Sequence, residues 1–203
     1  MNDEIQYIIS GENSVRHGAA IRAIISYLRG GQETSEVDKG EKQLKKQEEK
    51  KLREYITKQG LWVCDIDLDN YISEGAEQKV YLKDGKNVLK LNDAIYYSSW
   101  TDYMINLLLN NYFFPDTAYE LLGFFESDKT LYALVEQPFV KATEKTDLAH
   151  VKEFMLANGF ENIRNNDYYN PKLGIILEDL HDENVLTRNE LLYFIDTVFY
   201  VKY

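Results

Sequence analysis

The sequence predicts an α+β fold with two lobes, an antiparallel-sheet N-terminal lobe and a reduced C-terminal lobe, preceded by a helical extension. Three observations support this prediction. Apolar residues recur at helical spacing before residue 60, short alternating runs follow, and a helical pattern interrupts those runs between residues 99 and 113. We therefore place the extension at 1–60 and the two-lobed domain at 61–203, with the lobes dividing near residue 137.

Composition and charge indicate a globular protein and argue against a nucleic-acid-binding one. The chain has 203 residues, of which 44% are hydrophobic and 13% aromatic, as expected of a globular protein. The net charge of −11 argues against nucleic acid as a partner, because phosphate-binding surfaces are basic. Cys64 is the single cysteine, and the sequence shows neither a leader peptide nor about 18 consecutive apolar residues, so we expect a cytoplasmic protein without membrane contact.

Two helices are predicted in the extension. The first spans 13–29, with apolar residues at helical spacing and a Gly-Gly stop at 30–31. The second spans about 36–58; it is strongly charged, has a thin apolar stripe and ends at Gly60 as its C-cap. We expect this pair to pack on the main domain or on a partner. The stripe residues of the two helices are Ile21, Ile24, Ile25 and Leu28, then Leu44, Leu52, Tyr55 and Ile56.

The N-terminal lobe is predicted as an antiparallel meander with one inserted helix. Asp84-Gly85 is a hairpin turn, Ser98 or Ser99 caps the helix at 99–113, and Pro115 ends it. The predicted strands are 61–65, 71–73, 79–83, 87–91, 118–126 and 131–137.

In the C-terminal lobe, Asp147 is predicted to cap a helix at 148–158 that ends at Gly159. A loop at 162–170 follows, and then a hairpin of 174–177 with 191–200 that encloses a polar segment at 179–184.

Two features of the N-terminal lobe suit nucleotide phosphates. Gly75, in the turn with Ala76 and Glu77, would let backbone amides approach a phosphate, although an ordinary hairpin turn has the same pattern. Lys90 shares a strand face with Val88, so its side chain either extends to the solvent or points into a cleft.

The polar segment in the C-terminal lobe suits phosphoryl transfer. Asp179 lies five positions before Asn184, and Asp196 follows twelve positions later in an apolar run, where a carboxylate needs a partner or a metal. A base for the acceptor hydroxyl and oxygen ligands for magnesium are the groups that this chemistry needs. A polar turn whose Asp and Asn satisfy backbone amides remains the alternative.

The chain resembles the serine/threonine/tyrosine kinase domain of polyvalent proteins, large multi-enzyme proteins of bacterial mobile elements and phages. The resemblance covers roughly 60–203. It rests on Gly75-Ala76-Glu77-Gln78, Lys90-Leu91-Asn92-Asp93-Ala94, Asn111 to Glu120, Gln137-Pro138-Phe139-Val140, Glu178 to Asn184 and Phe194-Ile195-Asp196-Thr197. The spacing of Asp179, His181 and Asn184 also resembles the catalytic loop of aminoglycoside and choline phosphotransferases.

The resemblance implies a minimal kinase-like fold, ATP and Mg²⁺ as cofactors, and a protein or small-molecule hydroxyl as acceptor. It implies that Asp179 is the catalytic base, that His181 braces its loop, and that Asn184 and Asp196 hold magnesium. Lys90 would contact the α and β phosphates. The segment Val135-Glu136-Gln137 would bind adenine through its backbone, next to the phosphate turn at Gly75, Ala76 and Glu77.

Three departures from the family pattern keep other functions open. The 99–113 helix has no Glu to pair with Lys90, so Asp102 or Asn106 would substitute; Thr197 replaces the usual Phe-Gly; and Leu177-Glu178 replaces His-Arg. The alternative is a non-catalytic nucleotide- or protein-binding module that docks a partner through the second helix, which is basic at 39–58. Its partner would be a second copy of the chain or other domains of a larger protein. A structural module with a Lys90–Asp196 ion pair is a third possibility.

Overall fold

The computed structural model describes residues 3–11, 14–30, 41–66, 69–74 and 78–202, with only the backbone at 41 and 42. The chain divides into two compact units. We call them the sheet unit, residues 17–107 and 119–139, and the hairpin unit, residues 1–16, 108–118 and 140–203. The fold class, α+β with antiparallel sheets, is confirmed. Within the described residues, no helix combines the length and apolarity needed to cross a membrane.

The first two helices are α1, Asp3–Ser10, and α2, Gly18–Gly30. The sequence reasoning missed α1, although its three isoleucines at positions 5, 8 and 9 are buried at helical spacing. Helix α2 buries the predicted stripe but begins at Gly18 and not at residue 13. His17 has a φ of 54°, a left-handed conformation that an α-helix does not continue through, which accounts for the later start.

Helix α3, Glu41–Gln59, ends at Gly60, whose φ of 66° confirms the predicted C-cap. The part of that prediction at 36–40 lies outside the described residues. Charged side chains of α3 make hydrogen bonds and an ion pair with other residues of the sheet unit. Glu48 accepts hydrogen bonds from the backbone N–H groups of Trp100, at 2.6 Å, and Thr101, at 3.3 Å. Arg53 pairs with Glu126, so α3 packs as a component of the sheet unit.

The sheet unit contains five antiparallel strands in the order β1-β2-β3-β5-β4. They are β1 Tyr71–Glu74, β2 Gln78–Leu82, β3 Asn87–Asn92, β4 Glu120–Ser127 and β5 Thr130–Pro138. The predicted strand at 61–65 is wrong, because that segment makes only an isolated bridge from Trp62 to Phe124. Gly123 has a φ of 151° and a Cβ there would lie 2.5 Å from the carbonyl oxygen of Leu61, so the crossing segment requires glycine.

Helix α4, Trp100–Phe113, lies between β3 and β4 in the chain. Of the two predicted caps, Ser98 and Ser99, the structure supports Ser99, whose Oγ accepts a hydrogen bond from the N–H of Asp102 at 2.9 Å. Pro115 follows the helix as predicted and opens a 3₁₀ turn, Pro115–Thr117. The end of α4 and this turn belong to the hairpin unit.

The hairpin unit confirms the predicted helix, here α5, Leu148–Ala157, with Asp147 as its cap. The predicted loop at 162–170 is wrong, because it forms the hairpin of β6, Glu161–Arg164, and β7, Asp167–Asn170. The remaining strands are β8 Ile175–Glu178, β9 Val185–Arg188, β10 Leu191–Phe194 and β11 Val198–Val201.

The predicted single hairpin around the polar segment is therefore corrected. Strand β8 pairs with β11 and β7, whereas β10 pairs with β9 in a separate hairpin. Asn189 and Glu190 have φ values of 50° and 66°, the left-handed pair of a two-residue turn, so the chain reverses directly after β9. The run predicted as one strand at 191–200 is interrupted at residues 195–197.

Candidate functional site

The β9–β10 hairpin brings Asn184 and Asp196 together. Asn184 immediately precedes β9, Asp196 follows β10 by two residues, and Val185 pairs with Phe194 at the open end of the hairpin. The carbonyl oxygen of Asn184 accepts hydrogen bonds from the N–H groups of Ile195, at 2.9 Å, and Asp196, at 3.4 Å. Two four-residue strands, a two-residue turn and Ile195 thus fill the eleven positions between Asn184 and Asp196.

The loop at 179–184 gathers the side chains of Asp179, His181 and Asn184. The Asn184 side-chain N–H₂ donates to the Asp179 carbonyl oxygen at 2.9 Å and to Asp179 Oδ2 at 3.1 Å. His181 Nε2 lies 3.3 Å from the other carboxylate oxygen of Asp179. The carboxylate is therefore held from both sides by residues of its own loop.

Hydrogen bonding assigns the tautomer of His181. The N–H of Glu183 donates to His181 Nδ1 at 3.2 Å, so Nδ1 is an acceptor. A neutral His181 then carries its proton on Nε2, which faces Asp179 Oδ1. Asn184 Nδ2 also lies 3.2 Å from Nε2. Because both atoms are donors in this tautomer, the amide N–H groups are directed at Asp179, and Asn184 Oδ1 points away from it.

The backbone of Asp179 is left-handed, with a φ of 69°, a conformation that Asp tolerates better than most residues. Asp167 Oδ1, from the start of β7, accepts the Asp179 N–H at 3.1 Å. The next residue, Leu180, is fully buried and donates its N–H to the carbonyl oxygen of Asn166 at 3.1 Å. The β6–β7 turn therefore fixes the start of the loop, a role that the sequence reasoning missed because it read this segment as an unstructured loop.

The neighbourhood of Asp179 is acidic. Burial raises the pKa of the Glu178 carboxyl, and the charges of Asp167 and Asp179 raise it further, whereas Arg164 opposes them. In the part of the chain that the structure describes, no three His, Cys, Asp or Glu side chains converge as a ready metal site. Magnesium nevertheless binds through one or two protein ligands when substrate phosphates and water supply the others, and amide and carboxylate oxygens, the kinds that Asn184 and Asp196 carry, are hard ligands of the type it prefers.

Lys90 lies on β3, between β2 and β5, opposite Val80 on one neighbour and Val135 on the other. Its side chain is 4% exposed, so it does not extend to the solvent. Its Nζ lies 5.3 Å from the ring centroid of Tyr119, a cation–π distance. The strand alternates, so Lys90 faces away from the apolar cluster of Tyr81, Leu89, Leu91 and Leu134.

The two α4 residues that were considered as partners of Lys90 have contacts with residues just before the helix. Asp102 accepts the hydroxyl proton of Ser99 at 2.8 Å, as part of the helix cap. Asn106 is buried and donates to the hydroxyl of Tyr97 at 3.0 Å.

The segment Val135–Gln137 lies inside β5. Val135 pairs with Lys90, and Glu136 pairs with Leu89 on one side and with Glu120 on the other. The β4 ladder ends at that last pair, so the edge of β5 that faces β4 is open only after Glu136. The Glu136 carboxylate pairs with Lys83, and the Gln137 side chain is buried. The predicted phosphate-turn residues Gly75, Ala76 and Glu77 lie outside the described residues.

Comparison with known families gives a match over most of the chain. Residues 45–203 match the family described as the serine/threonine/tyrosine kinase found in polyvalent proteins. Because the match covers most of the chain, the chain belongs to this family, which confirms the resemblance seen in its motifs. The match begins within α3. Searches of curated proteins and of solved structures find no match.

Proposed function

We propose that this member of the family is an ATP- and Mg²⁺-dependent phosphotransferase that acts on a protein or small-molecule hydroxyl. The observation that carries the proposal is the arrangement in the hairpin unit. Asp179 is held by His181 and Asn184, and the Asn184 carbonyl oxygen in turn holds the backbone at Asp196. One short loop and one hairpin thus gather Asp179, His181 and Asn184 and hold the backbone at Asp196, which supports the roles proposed for these residues.

Each residue has a defined role in the proposed reaction. Asp179 accepts the proton of the acceptor hydroxyl as that oxygen bonds to the γ-phosphorus of ATP, and the bond from the γ-phosphorus to the β–γ bridging oxygen breaks to release ADP. His181 orients the Asp179 carboxylate. Asn184 and Asp196 would hold magnesium, which supplies charge neutralisation at the phosphates when bound. Lys90, a buried cation, would contact the α and β phosphates.

The fold of the sheet unit supports the same proposal. Strands in the order β1-β2-β3-β5-β4, with α4 inserted between β3 and β4, agree with the kinase-like N-terminal lobe that the resemblance implies. We propose that adenine binds at the end of β5, where Val135–Gln137 run and the β4 ladder stops. The phosphate turn at Gly75, Ala76 and Glu77 and the domain division near residue 60 stay predictions.

A non-catalytic nucleotide-binding module is the second candidate. The observation in its favour is Thr197, which follows the proposed metal ligand. Thr197 occupies the position where the family pattern leads one to expect a Phe-Gly pair. Its hydroxyl makes a buried hydrogen bond with Asn110. Transfer of labelled γ-phosphate to an acceptor hydroxyl, including the protein's own, separates this module from an enzyme.

The test of the proposal is a calorimetric titration of ATP with and without Mg²⁺, on the wild type and on Asp196→Asn. We expect magnesium-dependent binding that weakens at least about tenfold in the variant, because a lost charge-assisted contact costs roughly 1.5–3 kcal/mol. Asp128→Asn, an exposed left-handed position in the β4–β5 turn, is the matched control. Folded wild type that does not bind Mg-ATP would reject the proposed function, and equal binding by Asp196→Asn would reject the role of Asp196.

A further inference from the structure

The hairpin unit contains a buried polar network that no step of the proposed reaction uses. Its members are Asn110 at the end of α4, Thr117 in the 3₁₀ turn, and Thr197 after β10, with side chains at most 2% exposed. Burying polar groups costs free energy unless they are hydrogen-bonded, so a network of this kind in an apolar core has a structural or functional reason.

The first branch of the network binds the residue before the Asp196 segment. The Thr117 hydroxyl donates to the carbonyl oxygen of Phe194 at 2.6 Å, closer than its alternative acceptor, the carbonyl oxygen of Phe114, at 3.3 Å. The rings of Phe114 and Phe194 stack with centroids 4.1 Å apart. The last residue of β10 is therefore fixed by a hydrogen bond and by an aromatic contact.

The second branch binds the residue after Asp196. The Thr197 hydroxyl donates to Asn110 Oδ1 at 2.9 Å, and Asn110 Nδ2 donates to the carbonyl oxygen of Thr117 at 3.3 Å. The two branches thus meet at Thr117. Asp196 lies between the two anchored residues, Phe194 and Thr197, in the interruption between β10 and β11.

We propose that Thr117 and Asn110 are positioning residues that set the orientation of Asp196 toward the metal. The inference rests on the proposed function. The segment 195–197 lies outside the strand ladders, and the carbonyl oxygen of Asn184 holds it from the side of the metal ligands. The network supplies the complementary restraint from the side of α4. Groups that orient a ligand in this way contribute to metal affinity without touching the metal.

The variants that test this inference keep the volume of threonine and remove its hydroxyl. They are Thr117→Val and Thr197→Val, with Thr117→Ser and Thr197→Ser as conservative partners that keep the hydroxyl. Thr187→Val is the control: Thr187 is a buried threonine of the same unit whose hydroxyl donates to Thr146 Oγ1 at 2.9 Å and takes no part in the network of Asn110, Thr117 and Thr197. ATP binding is titrated against Mg²⁺ concentration and, separately, in EDTA, and thermal unfolding is recorded for each variant.

We expect both Val variants to need about tenfold more Mg²⁺ for half-maximal ATP binding, with unchanged ATP affinity in EDTA. The Ser variants and Thr187→Val should retain the wild-type magnesium dependence. Val variants that unfold at lower temperature but keep the wild-type magnesium dependence would show a merely structural network and overturn the inference, as would Ser variants that lose as much as Val. If the wild type showed no magnesium-dependent ATP binding, the proposed function itself would be rejected. That result is distinguishable from a failure of the inference, in which the wild type binds and the Val variants match it.

Discussion

The sheet unit and the hairpin unit hold their candidate residues by different means. Lys90 lies on a six-residue strand paired on both sides, so ladder bonds and packing fix its position. Asp179, Asn184 and Asp196 lie on irregular backbone between four-residue strands. Side-chain hydrogen bonds hold Asp179 and Asn184, and the carbonyl oxygen of Asn184 holds the backbone at Asp196. In the sheet unit, many small contacts together fix the position of Lys90. In the hairpin unit, single polar groups hold each candidate residue in position, so single substitutions there should change function more than stability.

The largest expected effect would sharpen this comparison at Asp179. Asp179→Asn removes the carboxylate that we propose as the base but keeps a residue type that tolerates a φ of 69°, so the fold should persist while phosphate transfer falls about 10²- to 10⁴-fold. Transfer of labelled γ-phosphate and thermal unfolding measure the two effects. Asp182→Asn, in the same loop and paired only at the surface with Lys145, is the control and should transfer at the wild-type rate. Undiminished transfer by Asp179→Asn would contradict the assigned role.

A smaller effect is expected in the sheet unit. Lys90→Met keeps the length of the buried stem but removes the cation, and we expect Mg-ATP to bind about 10- to 100-fold more weakly. Lys79→Met, on the neighbouring strand with an exposed side chain, should bind as the wild type does. Calorimetry on both variants checks this. If Lys90→Met bound nucleotide normally and only its stability changed, the buried lysine would belong to the packing of the sheet.

The smallest effect concerns the acidic surroundings of Asp179. Because burial and then the Asp167 and Asp179 charges raise the pKa of Glu178, the folded state favours its protonated form. That contribution to stability is present below the ordinary Glu pKa of about 4.3 and is lost as the pH rises through the folded value. The free energy of unfolding of Glu178→Gln should therefore be higher by about 0.3 kcal/mol near neutral pH, a small gain because solvent partly screens this half-buried group.

Urea unfolding of the wild type and Glu178→Gln at about pH 7 and pH 4 measures this difference, which should disappear at the lower pH. Glu153→Gln, an exposed position on α5, is the control and should show no comparable gain. A Glu178→Gln protein that is less stable at neutral pH would indicate that the ionised carboxylate has a favourable partner.

The elements that the sequence predicted correctly are those whose identifying residues lie within or next to the element. The alternation around Lys90, the Ser99 cap and the Asp147 cap each lie within a few residues of the element they define. The β9–β10 turn was missed because Asn189 and Glu190 adopt left-handed conformations without glycine, the residue that usually marks them. The hairpin at 161–170 was missed because its polar residues resemble a loop.

The candidate site divides in the same way. Asp179, His181 and Asn184 are close in the chain, so their spacing alone indicated a shared loop. The supporting residues Asn110, Thr117 and Asp167 reach the loop and the hairpin only through tertiary contacts. Nothing in their immediate sequence distinguishes them from ordinary surface or helix residues, so only the folded chain identifies them.

The contacts of Glu48 bear on which part of the chain can act as an independent module. Its carboxylate satisfies two of the backbone donors that every helix leaves open at its start, here those of Trp100 and Thr101. It also places negative charge at the positive end of the α4 dipole. Because Glu48 adds these contacts to the Ser99 cap, we expect a fragment of this domain to keep a stable start of α4 only when it includes α3.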